Sequence, residues 1–305
     1  MARPAYRVMA ATPFLPPQLL ERIGGLDLIA RTVVHGFVAG THRSPHRGAG
    51  EEFARHRPYQ QGDEVRHIDW KLFGRTDRLY VREYREQSNL RAYLVVDSSL
   101  SMDFAEEGRV SKLRYAAYVA AALAHLMLRA GDAVGLATFG PQERLLVPAR
   151  NRHGQLHDVL VPLERMRAEG GAGSAAALDR VGELLRRRGR VILISDLLED
   201  DGGESLLRAV GRLRARGDEV LVLRVLTPLE AGERPLGAGM YFDPEHPTES
   251  LPAAPAADVG YGERVTEYYR GLATRFAEQG VEYVPLSTAQ PVEHALVAWL
   301  RGRRA

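Results

Sequence analysis

The chain contains no cysteine. Disulfides, thiolate nucleophiles and cysteine-ligated zinc are therefore excluded. Lysine is almost absent as well: of 41 basic residues only Lys71 and Lys112 are lysines. The arginine bias runs along the whole chain, so it reads as genomic base composition rather than a dedicated anion site. The formal net charge of +2 lacks the excess that a nucleic-acid partner demands. Long apolar runs are missing too. The most apolar window, Tyr115 to Leu128, is interrupted by His125 and falls short of the ~20 residues needed to span a bilayer. Met1 to Pro17 has no apolar core bounded by a cleavage site. A cytoplasmic protein with no stable membrane insertion is expected. No phosphate-binding Gly-x-x-x-x-Gly-Lys occurs, because Gly170-Gly171-Ala172-Gly173 is not followed by lysine. ATP hydrolysis by this chain is not expected. A Gly-x-Ser-x-Gly nucleophile elbow is absent too.

What remains is an ordinary globular composition, 45% hydrophobic and 26% charged over 305 residues. That is enough for one large domain or two unequal ones. Residues 1–39 divide into a proline-bearing arm and an amphipathic helix from Pro17 to Val38, weakened by Gly24-Gly25. Its apolar face either packs on the main domain or meets a partner. Residues 40–90 alternate arginines with acids and carry few aliphatics. They read as a small β-rich subdomain laced with ion pairs. From 91 to 305, apolar β-branched runs alternate with helical patterns at about 111–130, 154–167, 175–188, 203–216 and 263–279. This is the signature of a doubly wound, mostly parallel α/β sheet. Arg144–Pro148 would add an edge strand, where a proline is tolerated. A stretch at about 230–262, rich in Pro, Gly and Ala, reads as an inserted hairpin and loop.

The densest chemistry follows the strand Leu94-Val95-Val96. It runs into Asp97-Ser98-Ser99-Leu100-Ser101-Met102. One carboxylate and two hydroxyls at alternate positions are hard oxygen donors, suited to Mg²⁺ or Mn²⁺. The carboxyl end of a strand is where open α/β sheets bind ligands. A second buried strand, Val191 to Ile194, ends in Ser195-Asp196. Parallel strands end on one edge, so Asp196 is expected near Asp97. The alternative for both is helix or turn capping by side-chain oxygens.

These residues resemble the metal-ion-dependent adhesion site of von Willebrand factor A domains. A longer ordered string resembles the domain-of-unknown-function 58 family, also described as MoxR-associated proteins. It comprises Glu51-Glu52-Phe53, Arg57-Pro58-Tyr59, Gly62-Asp63, Arg66-His67-Ile68-Asp69-Trp70, Arg75, Leu79-Tyr80-Val81-Arg82-Glu83 and the Asp97 motif. The resemblance implies a von Willebrand A-like domain after a small β-rich region. It also implies a partnership with a MoxR-type AAA+ ATPase in assembling or activating complexes. Adhesion sites take a threonine from the loop between the two strands. Here a gapless alignment puts Ala172 at that place, and Ser174 could substitute if the loop shifts.

Other candidates carry less. His42, Arg43, His46 and Arg47 form a basic patch, but Ser44-Pro45 argues against a helical metal pair. Asp63 and Asp69 are better explained as ion-pair partners of Arg57, Arg66 and Arg75 than as an acid/base pair. Trp70 and Tyr59 are expected to be packing anchors. Arg186-Arg187-Arg188 complements a helix end. The expected function is a non-enzymatic, divalent-metal-dependent protein-binding module using Asp97, Ser99, Ser101, Asp196 and Ser174. The alternatives are a metal-dependent hydrolase or phosphotransferase with Asp103 as base, or a metal-free scaffold.

Overall fold

The computed structural model describes residues 15–21, 24–41, 52–60, 63, 68–85, 90–139, 146–170, 174–185, 188–199, 201–234, 239–242, 250–253 and 260–302. The Ala172 position and the basic patch at residues 42–47 lie outside the described residues. Six strands form the main sheet: β3 (Arg91–Asp97), β4 (Ala133–Phe139), β5 (Leu146–Arg150), β6 (Arg190–Ser195), β7 (Glu219–Leu226) and β10 (Glu282–Ser287). Their order is β10-β7-β6-β3-β4-β5, and every pairing is parallel except β4 with β5. The antiparallel member is an edge, as Pro148 requires. The sequence-based expectation of a mostly parallel α/β sheet is met.

Strand pleating sorts alternate side chains to opposite faces. Leu94, Val96, Ile192, Ile194, Leu221 and Leu223 belong to one buried cluster. That cluster packs under α4 (Lys112–Arg129), α5 (Gln155–Arg165) and α9 (Glu293–Gly302). Tyr93, Val95, Val191, Leu193, Val220 and Val222 belong to the other. It packs under α6 (Ser174–Leu184), α7 (Glu204–Ala215) and α8 (Tyr261–Glu278).

Helix α4 is buried on nearly every side because two layers cover it. The sheet lies on one side and α2 (Leu26–Thr41) on the other. Ile29, Ala30, Val33, Val34 and Phe37 of α2 join the same core. The amphipathic face read from sequence therefore packs on the main domain. The expected single helix is broken: α1 (Pro17–Leu20) is separate, and Gly24 sits at φ +96, a conformation glycine adopts at no steric cost.

Ahead of the sheet, β1 (Glu52–Pro58) pairs antiparallel with β2 (Tyr80–Arg85). Between them lies α3 (Trp70–Thr76), a helix where only strands were expected. Asp69 caps it, accepting from the Lys71 and Leu72 amides at 3.0 Å each. Asp69 thus serves as the N-cap of this helix. Asp63 does pair with Arg57, both carboxylate oxygens lying 2.8 Å from one guanidinium nitrogen. Trp70 is 57% exposed and touches Phe73 edge-on, so the packing-anchor expectation fails for it. The first turn of a short helix leaves that side chain on the solvent side. The expected hairpin near 230–262 is β8 (Gly239–Phe242) against β9 (Ser250–Ala253). No helix among the described residues is long and apolar enough to cross a membrane.

Candidate functional site

Register builds the site. β3 and β6 are neighbours, with Val96 opposite Ile194. The next pair along is Asp97 and Ser195, which share a face. Ser195 accordingly donates its hydroxyl proton to Asp97 Oδ2 at 2.5 Å. Asp196 lies one residue further and falls on the opposite face of the pleat. That face is roofed by α4. Its first residue, Lys112, donates from Nζ to Asp196 Oδ2 at 2.7 Å. The same ammonium reaches Glu230 Oε1 at 2.6 Å.

After Asp97 the chain turns tightly. The Ser99 amide donates to Asp97 Oδ1 at 2.9 Å, and the Ser99 and Ser101 hydroxyls lie 3.0 Å apart. A 3₁₀ turn from Leu100 to Asp103 follows. The turn is clamped to the loop before α6 by two backbone bonds, Glu169 N to Ser98 O and Leu100 N to Gly170 O. Ser174 opens α6, is fully buried, and donates its hydroxyl to the Glu199 carboxylate. Asp97, Ser99, Ser101, Ser174 and Asp196 are all buried at this rim. Asp103 is exposed instead. With Arg114, Glu164 and Arg167 it lines an open cleft of about 240 Å³.

The charges are unevenly compensated. Burial, and then the negative Asp196 nearby, raise the Asp97 carboxyl from 3.8 to about 7, against the hydrogen bonds from Ser195 and Ser99. Burial by itself would lower Lys112, but Asp196 and Glu230 outweigh it and hold the ammonium above its ordinary value. Burial raises Glu199 too, opposed by the Ser174 bond and reinforced by Asp201.

The donor chemistry fits a hard divalent ion at Asp97, Ser99 and Ser101: a carboxylate whose charge is poorly compensated beside two hydroxyl oxygens. Asp196 fits less directly. Its Oδ1 accepts from the Leu198 amide at 3.1 Å and its Oδ2 holds Lys112. Both of its carboxylate oxygens are thus already engaged. Among the described residues, no three His, Cys, Asp or Glu side chains are grouped as metal ligands. Any ion here depends on serine oxygens.

Sequence reasoning missed Lys112, Glu230 and Glu199 as parts of this constellation. One signal was available for Lys112: a rare lysine in an arginine-rich chain, heading a helix otherwise lined with apolar residues. Glu230 carried none, because tertiary folding alone brings the turn after β7 to α4.

In shape the molecule is similar to BatB from Bacteroides thetaiotaomicron, with a TM-score of 0.49 and 17% identity, covering 71% of this chain and 100% of that one. It is also similar to the VWA domain of SpRpn10, with a TM-score of 0.40 and 11% identity, covering 68% and 94%. In sequence it is 33% identical over 215 residues to the uncharacterized protein Rv1480 of Mycobacterium tuberculosis. That match covers 70% of this chain and 66% of the relative, so the chain spans just under two thirds of that protein's length. The model of the family described as "Protein of unknown function DUF58" matches residues 55–250, and the chain belongs to that family.

Proposed function

We propose that this chain is a protein-docking module without catalytic activity of its own, in which a divalent cation held at Asp97, Ser99 and Ser101 receives a carboxylate from a partner protein. One observation carries the reading. Asp97 is buried at the carboxyl rim of a parallel sheet, flanked by two hydroxyls, and among the described residues its charge is compensated by hydrogen bonds alone. Such a group gains most from an adjacent cation. Asp196 and Ser174 would support the ion from the outer shell. When bound, Mg²⁺ or Mn²⁺ would supply a strong, directional attraction for an incoming Asp or Glu. The chain's own residues orient that ion and exclude water from beneath it. The resemblance to MoxR-associated proteins supports reading the partner as a MoxR-type AAA+ ATPase or its client.

The test has two arms. Isothermal titration of wild type with Mg²⁺ or Mn²⁺ should give saturable heat that Asp97→Ala removes. A pull-down with a MoxR-type ATPase should succeed with Mg²⁺ and fail in EDTA. Identical, flat titrations for both proteins would exclude the ion. Capture that ignores EDTA and Asp97→Ala would point to the metal-free scaffold. One observation favours that second reading: Lys112 already places a positive charge against Asp196.

A further inference from the structure

Lys112 heads α4 with its side chain fully buried. Helix α4 is held between the sheet and α2, and the ammonium is enclosed at its first turn. Its Nζ lies 2.7 Å from Asp196 and 2.6 Å from Glu230. The two acids come from different parts of the chain: Asp196 ends β6, whereas Glu230 lies in the turn after β7. Glu230 is the only one of the three side chains with any exposure, at 21%. Its second oxygen, Oε2, accepts from the Thr227 amide and hydroxyl at 3.0 Å each. The turn therefore holds Glu230 against the lysine.

An ammonium and a divalent ion cannot share one carboxylate without repelling each other across a few ångströms of poorly screened space. An ammonium also offers three N–H donors and no acceptor, so it competes for the carboxylate without coordinating the ion.

We propose that Lys112 is a tethered cation built into the site: its ammonium competes with a divalent ion for Asp196, and Glu230 relieves that competition by drawing the ammonium toward the turn after β7. This rests on the metal-binding reading given above. It makes the site tunable from within. A partner or segment that pulls Glu230 away would leave Lys112 wholly on Asp196 and weaken the support that Asp196 gives the ion.

The experiment is calorimetric titration of Mn²⁺ into the full chain, for wild type, Lys112→Met, Glu230→Gln and the double variant. Circular dichroism of each metal-free variant reports folding. Lys112→Met keeps the unbranched shape and removes the charge; it should tighten Mn²⁺ by about tenfold or more. Glu230→Gln should weaken it by about threefold or more, because the ammonium then has one acid to hold. The double variant should resemble Lys112→Met, since Glu230 acts through the lysine. Lys112→Arg keeps the charge and should not tighten binding. If Lys112→Met does not fold, Glu230→Gln and Lys112→Arg decide alone: weaker binding in the first and no gain in the second support the tethered cation. Wild-type binding that none of these substitutions moves overturns the competition and leaves the metal reading standing. No Mn²⁺ binding by any of the proteins, with all of them folded, overturns both.

Discussion

The Ser195 hydroxyl donates to Asp97 Oδ2 across the β3–β6 pair at 2.5 Å, and its oxygen also accepts from the Leu197 amide at 2.9 Å. Ser195 thus ties the motif carboxylate to the end of the neighbouring strand. Leu197 lies at φ +62, an uncommon conformation for a residue with a side chain, and the Ser195 bond helps to hold it. Ser195→Ala should fold but lose about 1–3 kcal/mol in urea titrations, the cost of leaving buried groups unsatisfied. A loss below a few tenths of a kcal/mol would show that water replaces the hydroxyl.

The Lys112–Asp196 pair should matter far more than any surface pair. Lys112→Ala leaves a buried carboxylate uncompensated and should cost about 3–5 kcal/mol, read from chemical denaturation. Arg152 and Asp158 make an equally short contact of 2.7 Å, but their side chains are 54% and 39% exposed. Arg152→Ala should change stability by less than about 1 kcal/mol. Similar losses for the two variants would contradict the burial argument.

Asp97 predicts a pH dependence in the metal-free protein. Its folded-state carboxyl is raised from 3.8 to about 7 by burial and by Asp196. Between about pH 4 and about pH 7 the folded state therefore retains a proton that the unfolded chain releases. The stability linked to that proton is complete below about pH 4 and is lost as pH rises through about 7. Asp97→Asn cannot ionise. In EDTA, its melting temperature should gain on wild type steadily across this range. A difference that stays flat would mean Asp97 titrates normally.

Gly135 in β4 is a packing constraint rather than a turn. A Cβ there would stand 2.5 Å from the Tyr93 ring and 2.7 Å from the Val147 carbonyl oxygen. Tyr93 cannot swing aside freely, because its hydroxyl accepts from the Ala149 amide at 3.1 Å. Gly135→Ala should cost about 1–3 kcal/mol through overpacking, measurable as a lowered melting temperature. An unchanged melting temperature would show that β5 peels back at the edge.

Much of this molecule is legible in local pattern. Apolar β-branched runs alternating with helical periodicity identify β3, β4, β6 and β7 and the helices between them, because period and composition are properties of short segments. Ser111 was expected to start a helix, and it does cap α4. The short helix α3 escaped because seven residues beginning at Trp70 carry too little periodicity to distinguish from a strand. The break between α1 and α2 was visible as Gly24-Gly25, but its consequence needed the packing of α2 on α4.

The amino-acid sequence by itself determined which residues end the two central strands, and so that Asp97 and Asp196 share a rim. It also determined the hard-oxygen character of Asp97, Ser99 and Ser101. Only the tertiary structure decided what each acid faces. Pleat parity turns Asp97 toward Ser195 and Asp196 toward α4. There Lys112, 84 residues earlier in the chain, meets it together with Glu230, 118 residues beyond the lysine. Such contacts depend on strand order and helix placement, which no local pattern encodes. The physical reason is that charge compensation in a buried site is set by distance in space, whereas periodicity reports only distance along the chain.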